Sequence, residues 1–144
     1  MKSTLSFNQY DVIETTYKYN PTIDLDSEDV TPKLSLKIKY FNEDRTKAAL
    51  LFSIELGDTQ LKENSFYIKA VIMGIFTLTF DGESSDIYRD HMFKKNALAI
   101  LYPYMRSLVS DLSSKGSESP IILPPININA MVDENHLEIE EHNI

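Results

Sequence analysis

The stretch from Phe66 to Phe80 limits what this chain can fold into more than any other part of it. Side chains alternate between the two faces of a strand. One face of this run would carry Phe66, Ile68, Ala70, Ile72, Gly74, Phe76, Leu78 and Phe80, and the other carries Val71, Met73 and Ile75 at its middle. A strand that is apolar on both sides needs cover on both sides, which a sheet with one solvated face does not require. The run therefore belongs inside a sheet, with a helix, a partner subunit or a bound chain over its second face. Gly74 in the middle marks a bulge or a close backbone approach.

The remaining segments supply neighbours for that strand. Residues 33–40 alternate Leu34, Leu36, Ile38 and Tyr40 against Lys33, Ser35, Lys37 and Lys39. After the polar turn Phe41–Arg45, residues 47–56 resume with Ala48, Leu50, Phe52, Ile54 and Leu56, which together predicts a hairpin. Residues 5–19 are strand-like too, but the apolar phase slips from Leu5 and Phe7 to Tyr10 and Val12, then to Ile13, Tyr17 and Tyr19; one or two bulges would reconcile it. Residues 20–32 form a polar, proline-bounded connection, and Gly57 to Asn64 a polar loop. Past the turn signal Asp81-Gly82 the period changes. Leu98, Leu101, Met105, Leu108 and Leu112 recur at three- and four-residue steps, the stripe of an amphipathic helix. Pro103 cannot donate to the carbonyl of Ala99, which predicts a kink or restart. Lys115-Gly116 reads as a basic last turn closed by a left-handed glycine. Ser117 to Pro125 is a loop, and Asn127 to about Leu137 a short final helix.

Chemistry is harder to find than structure. The formal net charge of −8 in 144 residues disfavours binding to nucleic acid or to an anionic membrane. The absence of cysteine removes disulfides, thiolate zinc sites and a cysteine nucleophile at once. Met1 to Tyr10 lacks the apolar core of a signal peptide, and Ala70 to Phe80 is too short to span a bilayer as a helix, so the expected compartment is the cytoplasm, with no membrane insertion. His136 and His142 sit among Asp133, Glu134, Glu138, Glu140 and Glu141, but at no recognised ligand spacing; a solvated acidic tail is the simpler reading. Ser110, Ser113 and Ser114 have no nucleophile elbow around them and read as helix-surface serines. Phosphate-binding glycine motifs are absent. No catalytic residue, metal site or cofactor is expected, and the chain does not read as an enzyme. Phe52, Phe66, Met73, Phe76 and Phe80 are most simply core; the second reading is that some of them line a groove for varied apolar segments.

The run Ile100-Leu101-Tyr102-Pro103-Tyr104-Met105-Arg106, followed by Leu108-Val109-Ser110 and Lys115-Gly116, resembles the signature of the SecB family, in which an aromatic–Pro–Tyr–x–Arg run opens the main helix. Ile122 to Met131 resembles the family's apolar–Pro–x–Asn–aromatic–x–Ala–apolar stretch, and Gly74-Ile75-Phe76 its Gly-Ile-Phe. The similarity runs over roughly residues 5 to 137.

The resemblance implies an α+β fold: a four-stranded antiparallel sheet packed on a long C-terminal helix plus a short second helix. Residues 1–137 would form one domain and 138–144 a short acidic tail. It implies a homotetramer, a dimer of dimers, whose interface would involve the stripe Leu98, Leu101, Met105, Leu108 and Leu112. It implies ATP-independent holding of unfolded or preprotein polypeptides in apolar grooves, in the service of protein export. Leu34, Leu36, Ile38, Met131, Val132 and Leu137 match groove positions, and they fit ordinary core as well. Export chaperones also dock to a translocase motor through acidic residues. Glu14 and Glu63 match those, yet Lys18, Lys62 and Lys69 stand where acidic residues would be expected, which argues for a solitary relative dedicated to one client such as an antitoxin. A non-chaperone oligomeric scaffold is the alternative of another class.

Overall fold

The long strand lies inside the sheet. In the computed structural model, which describes residues 3–21, 31–62, 65–80, 82, 85–116, 123, 127–134 and 137–143, β1 is Ser3–Tyr19, β2 Lys33–Tyr40, β3 Lys47–Gly57, β4 Phe66–Phe80 and β5 Glu138–His142. The spatial order is β1-β4-β3-β2-β5. The first four strands pair antiparallel, and β5 joins the outer side of β2 in parallel. The sheet is thus five-stranded and mixed, where four antiparallel strands were expected. The difference comes from the acidic C-terminal segment, which forms a strand in place of a solvated tail.

The phase slip in β1 has a physical cause. Its register against β4 shifts between Phe7 and Gln9 and again between Val12 and Glu14. Each bulge turns the following side chains over, so Leu5, Phe7, Tyr10 and Tyr17 all reach the core. Val12 and Ile13, at the second bulge, are left 47% and 52% exposed on β1, the outermost strand among the described residues.

One helical run covers the even-numbered face of β4: α1 (Asp86–His91), a π-helical turn (Met92–Asn96) and α2 (Ala97–Gly116). Ser85 starts it by accepting the Tyr88 N–H at 3.1 Å. Helical structure continues unbroken through Pro103; the irregularity is the π turn upstream, where the Ala97 N–H reaches back to the Met92 carbonyl. Gly74 permits a close approach with no bulge in β4. A Cβ there would lie 2.7 Å from the Phe76 ring, 2.9 Å from Leu101 and 3.2 Å from Phe7.

The buried side of α2 differs from the expected stripe in its second half. Leu98, Leu101 and Met105 are fully buried, but the burial then continues through Val109 and Ser113, leaving Leu108 and Leu112 partly exposed. Ser113 is therefore no surface serine: it is 1% exposed and donates its hydroxyl proton to the Val109 carbonyl at 2.9 Å. Gly116 is not left-handed either. Its missing side chain makes room for Tyr17, whose ring a Cβ would overlap at 2.1 Å. The last helix, α3, is Ile128–Asp133, shorter than expected and capped by Asn127, which accepts the Ala130 N–H. The turn residue Asp81, most of the 20–32 connection and most of the 117–125 loop lie outside the described residues.

Candidate functional site

The odd-numbered sheet face, opposite the helix, has a partly exposed apolar centre. Leu51 pairs with Met73, Ala49 with Ile75 and Ser53 with Val71. Among the described residues no helix lies over it. Charged side chains border this centre: Lys37 and Lys39 on β2, Asp11 and Glu14 on β1. Lys69 pairs with Glu14 at 3.3 Å, and Lys18 lies 5.9 Å from the centre of the Tyr67 ring. Glu63 lies outside the described residues.

Two clefts flank β5, one on each face. The first, of 480 Å³, runs between the α1–π turn and the α3–β5 segment. Its apolar side chains are Ile87, Val132, Leu137 and Ile139, and Lys94, Lys95, Asp133 and Glu141 border them. Ile87 is 83% exposed, an unusual place for a side chain that size. The second cleft, of 350 Å³, opens on the opposite face and includes Leu36, Leu51 and Val71 with Lys37, Glu138 and Glu140.

Several of the sequence-predicted residues meet here. Val132 and Leu137 line the first cleft and Leu36 the second. Ile38, Met131 and Leu137 are buried in the same continuous core as Leu36, with Leu34 and Val132 partly buried against it. Leu36 and Ile38 carry almost no exposed surface while β5 is in place. Of the stripe predicted for subunit contact, Leu98, Leu101 and Met105 are enclosed by the chain's own sheet, and Leu108 and Leu112 retain exposed surface. Sequence reasoning missed Ile87, Ile139 and β5 itself. The available signal was the alternation of Leu137 and Ile139 with Glu138 and Glu140.

Charge pairs join β5 and the neighbouring α1 and α3 to the rest of the chain. Lys37 reaches Glu140 at 3.8 Å; Lys94 bridges Asp90 at 2.9 Å and Glu141 at 3.4 Å; Lys95 meets Asp133 at 2.8 Å. Arg45 donates to the Asn143 side chain at 2.9 Å. Burial, with the Glu141 carboxylate next to it, pushes the Tyr40 phenol far above the ordinary tyrosine value. Burial works against the Lys94 ammonium, but Asp90 and Glu141 outweigh it and raise its pKa. Among the described residues no three His, Cys, Asp or Glu side chains are grouped to hold a metal ion, and no helix is long and apolar enough to cross a membrane.

A single sheet covered on one face by a helical run, with apolar clefts at its edge, defines a two-layer α+β fold. A sequence profile described as "Preprotein translocase subunit SecB" matches residues 5–138. The chain is 27% identical over 144 residues to an uncharacterized protein of Methanocaldococcus jannaschii, covering 99% of this chain and 90% of that one. It is also 27% identical over 134 residues to the protein-export protein SecB of Actinobacillus succinogenes, covering 93% and 74%. In structure it superposes with a TM-score of 0.63 on a SecB-like chaperone of Mycobacterium tuberculosis solved in complex with a ChAD peptide from the HigA1 antitoxin, at 13% identity over 85% of this chain and 91% of that one. The chain belongs to the SecB family, whose members are chaperones and not enzymes.

Proposed function

We propose that this protein is an ATP-independent holder of unfolded polypeptides in the cytoplasm, binding them along the clefts beside β5 without transforming them. The observation that carries this reading is the pair of open clefts, where Ile87, Val132, Leu137 and Ile139 lie beside a sheet edge in a chain of a chaperone family. An extended chain meeting such a surface gains apolar burial at the cleft and directional hydrogen bonds at the edge. Leu34, Leu36, Ile38, Met131, Val132 and Leu137 are its proposed client-contacting set. The working unit is proposed to be a homotetramer, a dimer of dimers. The strand β1 with exposed Val12 and Ile13, outermost among the described residues, and the exposed flank of α2 at Leu108 and Leu112 are the surfaces that support it.

Titration of a permanently unfolded polypeptide by calorimetry, without nucleotide, tests the holding role. Binding should carry a negative heat-capacity change and tolerate salt. Val132→Asp with Ile87→Ser should weaken it while the oligomer stays intact. Unchanged binding by that variant would remove the first cleft from the site; no binding by the wild type would leave a scaffold as the better reading.

One observation favours a dedicated client over delivery to a translocase motor. Glu14, an acidic position that motor docking would use, is paired with Lys69, and Lys18 lies over the neighbouring Tyr67 ring. The antitoxin peptide bound by the M. tuberculosis chaperone is an example of such a client.

A further inference from the structure

We propose that the β2 edge beneath β5 is itself a polypeptide-binding site, and that a client segment takes it as a strand by displacing β5. The inference rests on the holding role proposed above and adds where the client's backbone goes and what sequence it prefers.

β5 has the features of a replaceable occupant. It is five residues long and, among the described residues, pairs with β2 alone and is the only strand to join the sheet in parallel. Its residues alternate between exposed and partly buried, and Ile139 is its one apolar side chain. Each of its faces borders a cleft, and only Ile139 packs from it against the core. Of its two described lysine pairs, Lys37–Glu140 lies where water competes for it, with both side chains at least half exposed. Lys94–Glu141 is the more sheltered and is the main charge contact a client would have to replace.

The β2 edge beneath it is the opposite. Leu36 and Ile38 lie opposite Ile139 and Glu141, and both are sealed while β5 remains. Departure of β5 would expose the unpaired backbone groups of residues 35–39 and the flank of these two side chains, and would join the two clefts. A bare edge of this kind recruits an extended chain. This also explains how Leu36 and Ile38, buried in the closed chain, could contact a client. The charges define the partner. An apolar–acidic–acidic segment would repeat Ile139-Glu140-Glu141, placing its apolar residue against Leu36, one acid by Lys37 and the next by Lys94. The preferred partner is therefore an extended, acidic, alternating segment of an unfolded protein.

A reversible lock tests this. Ser35 and Glu138 are register partners on adjacent strands, a spacing that suits a disulfide, and the chain has no cysteine of its own. The double variant Ser35→Cys/Glu138→Cys is oxidised, and binding of a labelled peptide with the sequence of residues 137–143 is followed by anisotropy. The reduced protein should bind it, the oxidised protein at least about tenfold more weakly, and reductant should restore binding, because a locked edge removes the competent state. Ile139→Asp, which removes the apolar anchor of β5, should bind several-fold tighter than wild type, and a peptide with Ser for Ile139 should bind more weakly. Equal affinity in the two redox states, or weaker binding by Ile139→Asp, overturns the proposal. So does a disulfide formed between copies, which would make a second copy's strand the occupant. Unfolded-client capture, measured in parallel, separates the two readings: capture insensitive to the lock leaves the holding role standing and removes the edge, whereas lock-sensitive peptide binding with no capture of any unfolded client does the reverse.

Discussion

Gly74→Ala adds a single methyl group at the tightest point between sheet and helix. The new Cβ would stand 2.7 Å from the Phe76 ring and 2.9 Å from Leu101, both below any ordinary carbon–carbon contact, and 3.2 Å from Phe7. Phe76 and Leu101 have no exposed surface, so neither can swing into solvent to relieve the clash. Overpacking of this kind costs about 1–3 kcal/mol. Replacing glycine by alanine returns about 0.4–1 kcal/mol by restricting the unfolded chain. The net expectation is a loss of about 1–2 kcal/mol, read as a lower urea midpoint at fixed protein concentration and unchanged slope. Leu101→Ala alone should cost about 2–5 kcal/mol, because it opens a cavity in the same place. The double variant should be more stable than the two losses added together, since each change fills or vacates the space of the other; a coupling of roughly 1 kcal/mol is expected. A Gly74→Ala protein as stable as wild type, or strict additivity in the double variant, would refute the view that the missing side chain exists to admit Leu101.

Three further outcomes are expected. The pKa values of Tyr10, Tyr17, Tyr40, Tyr67 and Tyr102 are raised above 10.0, each chiefly by burial, so the folded chain keeps protons the unfolded chain releases; stability should be full below pH 10.0, fall as the pH rises through the folded values, and fall less steeply in Tyr40→Phe, as alkaline unfolding curves would show. Leu101→Asp should unfold the protomer, whereas Leu108→Asp, on the partly exposed flank of α2, should leave it folded and reduce the assembly mass seen by light scattering from about four times 16.5 kDa; a Leu108→Asp tetramer would remove that flank from the interface. Arg106→Ala should cost about 1–2 kcal/mol in urea, because the Arg106 Nε–H donates to the carbonyl of buried Leu123 at 3.0 Å, and Arg106→Lys should recover little of it.

The parts legible in the sequence were those with a local period. Strands β2, β3 and β4 alternate over eight or more residues, and their register follows from burying one face. The two bulges of β1 were visible because its apolar phase slips twice. What escaped depended on distant partners. Gly116 looks like a helix cap locally, yet its role is set by Tyr17, at the far end of β1 and well back in the chain. Leu108 and Val109, or Leu112 and Ser113, satisfy a helical stripe equally well from Met105, and only packing against the sheet selects the second of each pair. β5 was the largest omission. Its alternation spans only Leu137 to Glu140, its charge density is that of a solvated tail, and its partner β2 lies about a hundred residues earlier. The candidate site was legible as a set of apolar residues, but the clefts that make it accessible depend on β5 and so were not.

The most direct measurement of the central claim is the aggregation of a chemically unfolded, unrelated protein on dilution, followed by light scattering with and without a several-fold excess of this chain and with no nucleotide present. Onset should be delayed in proportion to the chain added. A folded client should show no association, and Val132→Asp with Ile87→Ser should lose most of the delay while remaining oligomeric. Scattering curves that superpose with and without the protein, across a panel of clients that includes acidic alternating segments, would contradict a holding function.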